Sequence, residues 1–345
     1  MRADAILLAS FGGPEGQDDV IPFLRNVTAG RGVPDDRLEQ VAHHYRHFGG
    51  VSPINQQNRD LKAALEAELA RRGIDLPVYW GNRNWAPYFA DAFRELDRDG
   101  HHRILVLVTS AYTSYSGVGQ YREDFDKALD ETGLRESLEL HRIREFFDHP
   151  GFVGPFAQSL RASLDRAPQG TRIVFVTHSI PTKDADASGP QFGEGGAYVA
   201  QHLAAAEAIL READATEVPW SLVYQSRSGS PHVPWLEPDI LDHLAELGAD
   251  GVPGAVIVPF GFVSDHMEVM WDLDEEAVNA ATELGMWVER IPTPGVHPLF
   301  VAGLVDLLVE RLDDTPEAER PHLTSLGPWP DHEPQGRARL EVRSS

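Results

Sequence analysis

The sequence predicts an α/β protein made of tandem parallel βα units. Short apolar runs alternate with amphipathic stretches of helical length along the 345 residues, which is the pattern of parallel βα units. The second half of the chain also repeats the plan of the first. The chain is long for one ordinary core, so we expect an N-terminal half at 1–160, a C-terminal half at 161–314 and a loose, proline-rich tail at 315–345.

The predicted strands are apolar runs of strand length, and the first of them ends at Gly12-Gly13-Pro14. In chain order they lie at 5–10, 78–80, 104–108, 138–143, 172–177, 221–225, 255–260 and 286–290. The predicted helices have apolar residues at helical spacing, as Leu61, Leu65 and Leu69 do. They lie at 18–27, 37–48, 57–72, 88–97, 121–132, 196–211, 237–247, 265–284 and 297–312.

Composition excludes several classes of function. The net charge of −24 repels nucleic acid and anionic lipid and attracts cations, so we expect no nucleic-acid partner. The chain contains no cysteine, which rules out disulfides, thiolate zinc sites and cysteine-bound iron–sulfur clusters. No apolar run approaches the roughly 18 residues of a membrane helix. We therefore expect a cytoplasmic protein with no membrane anchor, and a monomer.

The segment Thr177-His178-Ser179 follows an apolar run, which places a histidine where a buried strand ends. Ligands of open α/β sheets bind at this edge. His178 could simply be a hydrogen-bonded strand-end residue, or it could bind a metal or a proton with its tautomer fixed by the neighbouring hydroxyls. The residues ASFGGP at 9–14 align with VTHSIP at 176–181 at an offset of 167, so a duplication would make Phe11 and His178 symmetry mates.

An acidic segment follows the strand at 255–260. Glu268, Asp272 and Glu276 recur every four residues and so share one helix face. This face could be solvated surface or a track for cations and protons. A structural alternative is a capping box, in which Asp265 and Glu268 only satisfy free amides at the helix start. If Glu268 instead lies desolvated near other carboxylates, we expect its pKa to be raised.

Two further segments suit a flat, anionic ligand. The loop at 110–121, which ends at Tyr121, is rich in glycine, serine and tyrosine and could form the wall of an aromatic pocket. The basic segment HHYRH at 43–47 could be plain helix surface. Alternatively, Arg46, with Arg31 nearby, could hold carboxylates by charge-assisted hydrogen bonds.

Several motifs, in order along the chain, resemble those of the ferrochelatase family, whose members insert Fe²⁺ into a porphyrin. They are LASFGGP at 8–14, HFGGVSPIN at 47–55, THSIP at 177–181, YQS at 224–226, WLEP at 235–238 and PFGFVSDHMEVM at 259–270. The resemblance implies a lyase of heme biosynthesis with two Rossmann-like, chelatase-type halves. Their parallel sheets would be related by a pseudo-two-fold axis, with the porphyrin between them. This agrees with the duplication inferred above.

The resemblance also implies roles for individual residues. His178 and Glu268 match the iron-site pair, with Asp272 and Glu276 as a possible outer relay. Ser52, Tyr121 and Tyr45 match porphyrin-contacting positions, and Arg31 and Arg46 are candidates for the propionates. Phe11 stands where some relatives carry a tyrosine that can ligate iron, which phenylalanine cannot do.

Within the family, the chain is most similar to the actinobacterial, water-soluble type, which implies coproporphyrin III as substrate and Fe-coproporphyrin III (coproheme) as product. Fe²⁺ would be the substrate metal. Relatives of this type often carry a [2Fe–2S] cluster, which cannot form here because the chain has no cysteine. Protoporphyrin IX as substrate, or a non-catalytic carrier of tetrapyrroles or metal chelates, are the alternatives.

Overall fold

Two separate sheets organise the protein in the computed structural model, which describes residues 1–30, 32–228 and 232–337. The first sheet has the strand order β2-β1-β3-β4-β9, and the second has the order β6-β5-β7-β8. The strands are β1 (Ala5–Ser10), β2 (Val78–Asn82), β3 (Arg103–Val108), β4 (Glu139–Arg142), β5 (Arg172–His178), β6 (Trp220–Gln225), β7 (Gly254–Val258), β8 (Trp287–Arg290) and β9 (Gln335–Gly336).

The two halves repeat one topology, because each sheet begins with the order second-first-third-fourth strand of its half. All pairings are parallel except that of β9 with β4. The central strands β1 and β5 correspond, and Phe11 directly follows the first while His178 ends the second. The prediction of two similar Rossmann-like halves is therefore confirmed.

Helices connect the strands, as the alternating pattern predicts. They are α1 (Val20–Val27), α2 (Asp35–His47), α3 (Ile54–Arg71), α4 (Phe89–Arg98), α5 (Gln120–Thr132), α6 (Pro150–Leu164), α7 (Thr182–Ala187), α8 (Gly196–Glu212), α9 (Ile240–Ala249), α10 (Val278–Glu283) and α11 (Pro298–Leu312). Tyr115–Gly119 and Val269–Ala277 are π-helical, and the second of these leads directly into α10. The helix predicted at 265–284 is thus present with a widened middle.

The sequence prediction missed α6 because its residues read as helix breakers. Pro150 and Gly151 open the helix and Pro155 lies inside it. Pro150 occupies the first turn, where a missing N–H costs nothing. Packing supplies the rest, because a Cβ on Gly151 would lie 2.6 Å from the Cα of Gly303 in α11. The two helices therefore touch backbone to backbone, and α6 is held by its neighbours rather than by its own propensity.

One apolar core extends through both halves. It joins the inner faces of β1, β3, β5 and β7 to α6, α8 and α11. The helix α6 follows the first sheet in the chain yet packs on α8 and α11 of the second half. A boundary between 160 and 161 would fall within α6. The division into halves at 1–160 and 161–314 therefore stays a prediction. It would describe two repeats of one topology that share a core.

The proline-rich tail, predicted to be loose, is attached to the rest of the protein at several points in 315–337, although most of its residues there stay half-buried or exposed. Trp329 donates its backbone N–H to the Asp148 carboxylate at 3.0 Å and packs its ring against Phe147 at 5.6 Å. The strand β9 pairs antiparallel with β4. The prolines prevent regular helix without preventing apolar contact. No helix in the described ranges is long and apolar enough to span a membrane.

Candidate active site

His178 is the last residue of β5 and faces the carboxylate of Glu268. Its Nε2 lies 3.5 Å from Glu268 Oε2, and its side chain is 34% exposed. The other ring nitrogen, Nδ1, contacts the carbonyl oxygen of Ser179. A carbonyl only accepts, so Nδ1 carries a proton and donates it. This contact fixes the ring orientation and aims Nε2 at Glu268, as a metal-binding or proton-accepting histidine requires.

The pKa of Glu268 differs from the raised value that the sequence predicts. Burial lowers the pKa of His178, but the hydrogen bond and charge of Glu268 outweigh it and raise that pKa overall. Burial raises the pKa of Glu268, but His178 lowers it to about 2. The expected raised pKa of Glu268 is therefore wrong. A cationic imidazole within bonding distance stabilises the carboxylate more than desolvation destabilises it.

Asp272 has the raised pKa instead. Burial and the neighbouring Glu268 charge raise the pKa of Asp272 to about 7, against the hydrogen bond that it receives from the Ser226 hydroxyl. The Gln225 amide donates to the same carboxylate at 3.2 Å and to the Glu268 carbonyl at 3.3 Å. Ser226 adopts a left-handed backbone with φ of 60°. Sequence reasoning missed Gln225 and Ser226 as partners, although they belong to the YQS segment.

The capping-box alternative for Asp265 and Glu268 is wrong. The Glu268 N–H is accepted by Nδ1 of His266 at 3.2 Å. The Asp265 carboxylate instead accepts from Arg290 at 3.2 Å and from the Thr293 hydroxyl at 3.1 Å. A neighbouring side chain thus caps the first turn, which leaves the Glu268 carboxylate free to face His178.

The acidic helix presents its other carboxylates differently. Glu276 accepts a hydrogen bond from the Trp271 indole at 2.9 Å. Glu268 and Glu276 are exposed and Asp272, between them in sequence, is half-buried; the relay stays a prediction. The middle of this helix is π-helical, a form often found at functional sites. Within the described ranges, no group of three or more His, Cys, Asp or Glu residues could hold a metal ion. His178 and Glu268 as iron ligands stay a prediction.

The N-terminal half contributes aromatic side chains at the end of its own strands, with Arg83 nearly buried among them and paired with Asp124 at 2.6 Å. Phe11 is 38% exposed and packs edge-on against Phe23 at 6.3 Å. Tyr121 is buried beside Phe125. The Arg83 guanidinium lies 4.8 Å from the Tyr121 ring centre and 5.9 Å from that of Phe11. Sequence reasoning missed Arg83, although its place directly after β2 is the strand-end position that marks ligand crevices.

Ser52 is buried against the loop that carries Phe11. Its N–H donates to the Pro14 carbonyl at 2.9 Å. A Cβ on Gly13 would lie 2.7 Å from the Ser52 Cβ, so only glycine fits at that position. The Asn55 side chain clamps Gly13 from both sides, accepting from its N–H at 3.2 Å and donating to its carbonyl at 3.0 Å. The segments FGGP and GGVSPIN are therefore one packed unit.

The helix α2 lies against the acidic helix. The His44 ring stacks on Trp271 at 4.0 Å. Tyr45 is buried, and burial with the charges of Glu268 and Asp272 raises the pKa of its hydroxyl. Arg46 points outward, is 44% exposed and pairs with Glu39 at 2.7 Å, so the surface interpretation of this segment holds for Arg46. Arg31, the other candidate for the propionates, lies outside the described residues.

Comparisons with known proteins agree on one family. The family model "Ferrochelatase" matches residues 3–312. The coproporphyrin III ferrochelatase of Leifsonia xyli subsp. xyli is 61% identical, covering 95% of this chain and 89% of the relative. That of Streptomyces griseus subsp. griseus is 56% identical over 96% and 92%, and the ferrochelatase of Rhodopirellula baltica is 48% identical over 96% and 92%.

A solved structure supports the fold independently. The sirohydrochlorin chelatase SirB from Bacillus subtilis subspecies spizizenii, in complex with cobalt, superposes with a TM-score of 0.53 at 13% identity. The match covers 92% of this chain and 98% of that one. At this identity the likeness concerns the fold alone, and it is the two-halved chelatase fold.

Proposed function

The chain belongs to the ferrochelatase family, and we propose that it inserts Fe²⁺ into coproporphyrin III to give Fe-coproporphyrin III (coproheme) in heme biosynthesis. Metallation replaces two pyrrole N–H protons by one ferrous ion and releases both protons. The observation that carries the proposal is the His178–Glu268 pair at a strand end, 3.5 Å apart and open to solvent. It places one possible nitrogen ligand beside one possible oxygen ligand.

The three acidic and basic groups would divide the work. Glu268, with its pKa near 2, stays an anion and attracts the ferrous ion. His178 releases its Nε2 proton as the cation approaches and turns that lone pair to the metal or to a pyrrole proton. Asp272, with its pKa near 7, changes protonation state close to neutral pH, which suits a group that accepts protons and passes them on.

In this proposal, the porphyrin lies between the two halves. Phe11, which is exposed, would contact its ring from the N-terminal half. Tyr121, Ser52 and Tyr45 are buried and would have to become exposed to contact it. A flat macrocycle shields its nitrogens, so the pocket has to bend it, at a cost of about 1–5 kcal/mol drawn from binding elsewhere on the ligand. Arg31 and Arg46 remain candidates for the propionates, and Arg46 would have to leave Glu39 to reach them.

The identity of the porphyrin is tested by metallation without oxygen. The protein is mixed with Fe²⁺ and either coproporphyrin III or protoporphyrin IX, and visible absorbance follows loss of the free base. We expect coproporphyrin III to be metallated at least about tenfold faster, a difference of about 1.4 kcal/mol in the transition state. Faster protoporphyrin metallation would contradict the substrate, and binding without metallation would indicate a carrier. We also propose that the protein is cytoplasmic and a monomer.

A further inference from the structure

The carbonyl of His178 needs a partner that its sheet does not supply. On one side, β5 pairs with β6 up to His178 and Gln225. On the other side, the pairing with β7 ends at Phe175 and Val258. Alternate carbonyls of a strand point to the same side. Gly261 satisfies the Val176 carbonyl at 3.3 Å, but the His178 carbonyl, two residues on, lies past the end of this ladder.

Tyr198, on α8, fills this position. Its buried hydroxyl donates to the His178 carbonyl at 2.8 Å. The same hydroxyl lies 3.0 Å from Oγ1 of Thr177. A phenol has one proton, and a carbonyl can only accept, so Tyr198 donates to His178 and the Thr177 hydroxyl donates to Tyr198. The end of β5 is thus held on one side by β6 and on the other by a single phenolic hydrogen bond.

The helix that carries Tyr198 is itself fixed to the N-terminal half. Gln201 accepts from the Thr113 N–H at 2.7 Å and donates to the Thr113 hydroxyl at 2.8 Å. The His202 ring stacks on Tyr112 at 3.6 Å with an interplanar angle of 12°. Both Thr113 and Tyr112 lie in the loop that follows β3 and leads to Tyr121. A continuous set of hydrogen bonds and ring contacts therefore joins the aromatic wall of one half to the histidine of the other.

We propose that Tyr198 is a positioning residue for iron insertion, whose hydroxyl sets the backbone of His178 and thereby the aim of its imidazole. The inference rests on the proposed function. Tyr198 touches neither substrate nor reacting atoms; it acts through His178. Residues that orient a metal-binding histidine typically change metal affinity or activity by about 10–100-fold when replaced. Loss of the Tyr198 hydroxyl should lower kcat/KM for Fe²⁺ and leave porphyrin binding unchanged.

The test compares Tyr198→Phe with Tyr112→Phe. Both remove one hydroxyl from a buried tyrosine and keep the ring, but the Tyr112 hydroxyl has no hydrogen-bond partner in the described part of the chain. Initial rates are measured without oxygen while Fe²⁺ and coproporphyrin III are varied separately. For Tyr198→Phe we expect kcat/KM for Fe²⁺ to fall about tenfold, with the KM for coproporphyrin III unchanged. Tyr112→Phe should match the wild type in both.

Each outcome decides between the two hypotheses. An active wild type with a folded Tyr198→Phe variant of equal kcat/KM for Fe²⁺ would refute the positioning role and leave the proposed function intact. A wild type that does not metallate coproporphyrin III would refute the function itself. Equal losses in the iron and porphyrin parameters would indicate a general packing defect and also refute the role. If Tyr198→Phe does not fold, Tyr198→Met removes the same hydroxyl with a side chain that adapts to irregular space in the core. A folded Tyr198→Met variant with unchanged kcat/KM for Fe²⁺ would refute the role.

Discussion

Acid should destabilise this protein through His202, a histidine that is fully buried between the two halves. Its Nδ1 donates to the Tyr198 carbonyl at 2.7 Å, and its ring packs on Tyr112 and Phe260. Its Nε2 has no hydrogen-bond partner within the described ranges. A second proton would therefore place a charge in an apolar site with nothing to accept it. Burial lowers the pKa of His202 to about 3, against the opposing effect of the Tyr198 carbonyl.

The sign and size of the effect follow from proton uptake on unfolding. The pKa of His202 is about 3 in the folded protein and 6.5 when unperturbed. Between these values the unfolded chain binds a proton that the folded chain excludes, so stability falls as the pH falls from about 6.5 to about 3. The slope reaches about 1.4 kcal/mol per pH unit. From about pH 8 to about pH 5 this single group removes about 2 kcal/mol.

Urea unfolding of the wild type and His202→Phe at these two pH values measures the effect. Phenylalanine keeps the ring contacts and cannot take up a proton, so the acid-induced loss in the free energy of unfolding should be about 2 kcal/mol smaller in the variant. His322→Gln is the control, because His322 is an exposed histidine in the tail, and it should keep the wild-type loss. An acid-induced loss as large in His202→Phe as in the wild type would refute the reasoning.

Three further predictions concern the site. His178→Ala and Glu268→Gln should each slow iron insertion at least about 100-fold. Both variants should still bind coproporphyrin III, which fluorescence quenching measures. Near-normal turnover in both variants would contradict the assignment of these two residues to the catalytic site. Because the pKa of Asp272 is about 7, more of this carboxylate is ionised as pH rises through 7, so the turnover rate should rise there and Asp272→Asn should lose that inflection. Gly13→Ala brings a Cβ to 2.7 Å from Ser52 and should cost about 1–3 kcal/mol in chemical unfolding and raise the KM for coproporphyrin III. Gly16→Ala, where a Cβ meets nothing within 4 Å, should do neither.

The sequence predicts β1 and β5 well because each is a buried apolar run bounded by polar residues. It misses β9, which is only the two residues Gln335 and Gly336. It predicts α6 poorly, because two prolines in that helix suggest a loop until the contact with α11 is known. Local sequence patterns report the conformation that a segment prefers on its own, whereas the helical conformation of α6 depends on its packing against α8 and α11. The same holds for the tail. Its proline content predicts irregular backbone but does not predict the contact between Trp329 and Phe147.

The candidate site shows the same division between residue identity and environment. Motif position and strand ends select His178 and Glu268 as candidates. They do not reveal which carboxylate is protonated, because a pKa depends on distances of a few ångströms. With His178 at 3.5 Å, Glu268 is the strong acid and Asp272 the weak one. Sequence position also does not reveal that Arg46 pairs with Glu39 on the outer surface of α2, and its role toward the propionates stays a prediction.

The two halves share one topology but differ in the residues at their equivalent strand ends. Phe11 and His178 occupy equivalent strand ends of the two halves, yet only the second has a ligating atom. In the described part of the chain, the candidate iron ligands therefore come from the C-terminal half, as one imidazole and one carboxylate. Two ligands bind a ferrous ion more weakly than four porphyrin nitrogens. Under the proposed function, such a site would deliver iron without retaining it, and Phe11 would contact the macrocycle without ligating the metal.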